Sequence, residues 1–103
     1  MKQHLYEVNV QHLADTQGNP STYSEALQFQ VGNHDDIFKI LEKLQASQLL
    51  DEESTKALVI GLKLFSEVML ENKELPLFKE FMPQFAQFMK SLKQTVKAQS
   101  EEQ

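Results

Sequence analysis

The chain reads as an α+β protein, an N-terminal antiparallel β-hairpin followed by three main helices. Two observations predict it. Apolar residues alternate with polar ones up to about residue 31, and from Ile37 onward they recur every three or four positions. A third, the Gly18-Asn19-Pro20 turn between the two alternating runs, turns the first part back on itself.

The first strand begins at His4. Tyr6, Val8 and Val10 fall on one face, with Glu7, Asn9 and Gln11 on the other. After the turn-rich stretch DTQGNPST (residues 15–22), alternation resumes through Leu27, Phe29 and Val31. Apolar residues on the same face of adjacent strands must meet, which is satisfied by Val8 opposite Phe29 and Val10 opposite Leu27 and equally by a slip of two residues; the first register is taken as the expectation. That register puts Tyr6 opposite Val31 and His4 opposite Asn33.

GNHDDIFKIL (residues 32–41) then changes the period. Ile37, Ile40, Leu41 and Leu44 follow helical spacing, with Phe38 beside them, and the helix is expected to end between Gln45 and Gln48. Asn33 is the expected N-cap, with Asp36 three residues on in a capping-box arrangement. Asp51 is the expected N-cap of the second helix, and Glu52 and Glu53 suit its positive end. This helix is apolar around more than half of its circumference and should be the central buried one. Gly61 costs about 1 kcal/mol relative to Ala in a helix, which suggests close approach by another element. Pro76 suits the first turn of the third helix. Pro83 should break or kink that helix, because it lacks an N–H and clashes with the preceding turn. Residues 1–98 read as one domain and 99–103 as a frayed polar tail.

Composition narrows the function classes. The net charge is −5, and all ten basic residues are Lys. Without Arg the chain lacks the planar fork suited to phosphate and base edges, so nucleic acid is not an expected partner. There is no Cys, which excludes disulfides and thiolate sites. No apolar run is long enough to span a bilayer, and the N-terminus has no continuous apolar segment of the secretory kind, so a cytoplasmic location is expected.

Several blocks along the chain carry a resemblance: HLADTQGNP, NHDDIF, GLKLFSEVMLEN and PLFKEFMPQFAQFMKSLK. From His4 to about Lys93 the chain resembles a bacterial family of small single-domain proteins known as a domain of unknown function. The resemblance implies a bacterial, cytoplasmic, single-domain protein, and it implies no activity, cofactor or site residue.

Two regions invite a functional reading. His34, Asp35 and Asp36, with His4 returning across the hairpin, offer imidazole and carboxylate donors for a metal or for proton transfer, or the region of a weak enzyme or small-ligand site. The competing reading makes these residues the start of a helix, because neighbours on a helix diverge by about 100°. His4 and His12 lie about 26 Å apart along a strand and cannot share an ion. Glu67, Glu71 and Glu74 read as a solvated helix face near Lys63 and Lys73. No nucleophile motif and no phosphate-cradling glycine loop is present, and no cofactor is expected.

The second region is the stripe Phe78, Phe81, Phe85, Phe88 and Leu92, widened by Met82 and Met89. It is either core or an interaction surface. An isolated two-stranded hairpin is marginal, and its edges offer unpaired backbone groups. These features favour a non-catalytic interaction or adaptor protein, forming a homodimer and presenting an apolar surface to a protein partner. A carrier of a small apolar ligand would need a cavity among Phe65, Phe78, Phe81 and Phe85.

Overall fold

The computed structural model describes residues 2–101. Strands β1 (His4–Val10) and β2 (Leu27–Asn33) form a two-stranded antiparallel sheet. Three helices follow: α1 (Ile37–Ser47), α2 (Glu52–Glu71) and α3 (Pro76–Glu101). The chain divides into a hairpin unit ending at His34 and a helical unit starting at Asp35.

In the hairpin unit the register is the expected one: Val8 pairs with Phe29, Val10 with Leu27, Tyr6 with Val31 and His4 with Asn33. Pairing apolar with apolar on one face leaves few alternatives, since a slip of one residue would put the two sets on opposite faces. The ladder stops at Val10 and Leu27, and a single bridge joins Ala14 to Pro20 beyond it. Between these two residues the chain is organised by Asp15. Its Oδ1 accepts from the backbone N–H groups of Gln17 and Asn19, both at 2.9 Å, and Gly18 takes the φ of 87° that the turn requires. His12 Nδ1 lies 2.6 Å from Ser21 Oγ, and the His12 ring meets Tyr23 edge-on at 5.3 Å.

In the helical unit the caps decide the element boundaries. The N-cap of α1 is Asp36, whose carboxylate accepts from the N–H groups of Phe38 (3.1 Å) and Lys39 (3.4 Å). The expected cap, Asn33, is instead the last residue of β2 and is buried. The strand keeps its ladder pairing through Asn33, so the cap falls three residues later, on Asp36. α1 closes on Gln48, a left-handed cap with φ 57°. Asp51 caps α2 as expected, accepting from Ser54 N–H at 2.7 Å. Two buried hydroxyls stiffen the corner between these helices: Ser47 donates to the Leu44 carbonyl at 2.6 Å, and Thr55 donates to that of Asp51 at 2.7 Å.

α3 is one helix, without the break expected at Pro83. Two features carry the chain across it. Gln84, with its amide nitrogen turned toward the helix, donates to the carbonyls of Glu80 (2.8 Å) and Phe81 (3.1 Å), next to the one that Pro83 leaves without a donor. Phe81 and Phe85, on either side of the proline, both pack on Phe65 of α2 at centroid distances of 6.1 and 5.9 Å. The helix continues through Glu101, and the last residues of the expected polar tail lie outside the described residues.

The core is small. Among the described residues the buried hydrophobic side chains are Ile37, Val59 and Met69, all in the helical unit. α2 is not buried around most of its circumference: Phe65, Val68 and Leu70 are between 42 and 50% exposed. Its apolar circumference exceeds what the single chain covers. Phe38, beside the helical repeat of α1, is 67% exposed, because it lies about 100° around the helix from Ile37.

Candidate functional site

The residues first considered for metal or proton chemistry do not share one task. His4 lies in β1 opposite Asn33, one residue short of His34, and its ring stacks on Tyr6 at 6.2 Å. His34 follows the last residue of β2 and is exposed. Asp36 directs its carboxylate at the first backbone N–H groups of α1. Asp35 forms an ion pair with Lys63 of α2, Oδ2 to Nζ 2.5 Å. Among the described residues no group of three or more His, Cys, Asp or Glu side chains is placed to hold a metal ion.

Glu67 departs from its expected place on a solvated face. It is 6% exposed, one helical turn beyond Lys63.

The Phe/Met stripe on α3 splits in two. Phe78, Phe81 and Phe85 surround Phe65 of α2 at centroid distances of 5.9 to 6.3 Å. Tilted and edge-on pairs at this range suit the quadrupoles of the rings. Even so, Phe65 and Phe81 each remain 42% exposed. Met82 is half-buried, and Phe88 is 47% exposed. Met89 and Leu92 face a different feature, a cleft of about 450 Å³ within the helical unit.

Three helices build this cleft. α1 contributes Ile40, Lys43 and Leu44, and α2 contributes Val59, Leu62 and Lys63. α3 adds Met89, Leu92, Lys93, Val96 and Lys97, and Asp35 stands at the rim with Lys63. No aromatic side chain lines it, so it is not the cavity among the Phe rings that a small-ligand carrier was expected to need. Its signal in the sequence is faint. Lys93 and Lys97 are four apart on one helix face, but nothing in their spacing says that Lys43 and Lys63 join them.

Comparison with known proteins points to the same family that the sequence blocks resemble. A family model described as a domain of unknown function with a solved structure, DUF3861, matches residues 4–94. The chain belongs to this family. A crystal structure of a protein of unknown function from Pectobacterium atrosepticum is similar to it, with 39% sequence identity and a TM-score of 0.76. The similarity covers 89% of this chain and 98% of that one, so the DUF3861 chain and this bacterial relative share a fold nearly end to end. No functionally curated protein matches the sequence. No helix among the described residues of this DUF3861 chain is long and apolar enough to cross a membrane.

Proposed function

We propose that this chain is a non-catalytic interaction module that works as a homodimer. The observation that carries the reading is the mismatch between apolar content and burial. Among the described residues sixteen large hydrophobic side chains are well exposed, whereas three hydrophobic ones are buried. Contiguous exposed apolar surface on a small protein marks an interaction site.

An exposed apolar stripe runs along α2. Ala57, Gly61, Phe65 and Val68 fall within about 80° of one another around the helix, and all are exposed. Phe65 carries this stripe over to Phe81 of α3. A two-fold axis through such a stripe would bury it against its own copy, as an isologous interface requires. The hairpin unit has unfilled apolar area of its own, with Leu5 57% and Leu27 63% exposed. The cytoplasm is the setting assumed for this module, since a small chain without Cys has no disulfide to support it in an oxidising compartment.

Light scattering after gel filtration tests the proposal. Twice the chain mass of 11.9 kDa is expected for the wild-type protein, and the chain mass for Val68→Glu, whose position is half exposed, with helical circular dichroism retained. A wild-type monomer at every accessible concentration would sink the reading.

A further inference from the structure

We propose that the lysine-rimmed cleft of the helical unit binds a free long-chain carboxylate, the chemical class of an unesterified fatty acid. Charge complementarity is the first reason. The chain carries a net −5, yet four of its ten lysines, Lys43, Lys63, Lys93 and Lys97, stand around this one cleft with a single carboxylate, Asp35. Asp35 is engaged with Lys63, whose side chain is 17% exposed. Among the described residues Lys43, Lys93 and Lys97 have no salt-bridge partner, so the rim keeps a positive excess on an otherwise acidic protein.

The walls say what the rest of the ligand is. They are aliphatic, from Leu44, Val59, Leu62, Leu92 and Val96, with Met89 as an adaptable filler and no ring to stack on. Such a surface suits a flexible alkyl chain and offers little to an aromatic or heterocyclic group. The head group follows from the cations. Lysine ammoniums are compact point charges that call for an anionic head, and a carboxylate is the smallest one an alkyl chain carries. The volume of about 450 Å³ falls in the range of small-molecule sites and is lined by three helices. A small amphiphile fits that better than the long open groove a partner helix needs.

The site is separate from the apolar stripe through Phe65 and Val68, so the two proposals fail independently. The probe is sodium dodecanoate below its micelle concentration, titrated calorimetrically into the full chain, with dodecyltrimethylammonium as the cationic control. Saturable binding of one dodecanoate per chain is expected, with no saturable binding of the control. Exchanging both α3 lysines (K93E with K97E) should weaken dodecanoate by at least about tenfold. K93A with K97A should weaken it less, and helical circular dichroism should be retained in both variants. Equal binding of the two amphiphiles, no saturable binding, or an affinity that ignores the charge reversal would each overturn the proposal. So would a charge-reversed chain whose mass falls to that of a monomer while dodecanoate fails to bind the wild type, which would make the cleft the seat of a second copy.

Discussion

Asp36 accepts two backbone N–H groups at the start of α1, while Asn33, a good cap by residue type, closes a strand instead. The two sites therefore make different predictions. Asp36→Ala should cost about 1 kcal/mol, the usual value of an N-cap, measured by urea unfolding. An unchanged midpoint would show that another group satisfies those donors. Two other aspartates carry a pH signature. Hydrogen bonds from Asn19 hold the Asp15 carboxyl below its ordinary value of 3.8, and the Ser54 N–H does the same for Asp51. For a carboxyl whose folded pKa is depressed, the unfolded chain takes up the proton first. The contribution to stability is therefore complete above 3.8 and is lost as the pH falls through the lower folded value. Unfolding curves recorded on either side of 3.8 should show this loss. Asp51→Asn, which keeps a capping side chain, should reduce the slope, and an identical slope would remove Asp51 from the explanation.

At the scale of elements, α2 and α3 carry the informative departures. Gly61 was expected to permit a close approach. Within the single chain a Cβ at this position would meet nothing within 4 Å. Gly61→Ala should then raise the stability of the dilute chain by about 1 kcal/mol through helix propensity alone. Gly61 also lies on the exposed stripe with Phe65 and Val68, so the same substitution should weaken dimerisation in a light-scattering dilution series. A fall in dilute-chain stability would show that the helix needs Gly there for a reason internal to the subunit. Pro83 makes the complementary point for α3. Its intrinsic cost is local, but Phe81 and Phe85 anchor the helix on both sides to the same ring of α2. Tertiary packing outweighs the break that local chemistry favours.

For the whole molecule, the surface is the main datum. An α+β chain of 103 residues has ample hydrophobic content at 41%, yet in the single chain much of it stays in contact with water. The amphipathic periods that locate the helices also commit more apolar circumference than three helices in one unit can cover. Dimer mass and dodecanoate binding address separate parts of this surplus, the α2 stripe and the α3 cleft. Loss of either would leave the other in place.

The sequence by itself determined the order and type of the elements, the faces that pair in the hairpin, the Asp51 cap and the family, because each rests on local period, turn chemistry or same-face pairing. Alternation and a turn restrict the hairpin to registers that differ by two residues, and the structure takes the Val8–Phe29 one. Only the tertiary structure decided which of Asn33 and Asp36 caps α1, that α3 runs through Pro83, and that Asp35 meets Lys63. It also decided how GNHDDIFKIL divides its work: Asn33 ends the strand, Asp35 pairs, Asp36 caps and Ile37 docks. The lysine cleft belongs to the same class. Its cations come from three helices and are separated by up to fifty-four positions, Lys43 to Lys97, so no sequence spacing marks them as neighbours. Local patterns record what a residue does to its own turn or ladder, and convergence between distant elements exists only once they pack.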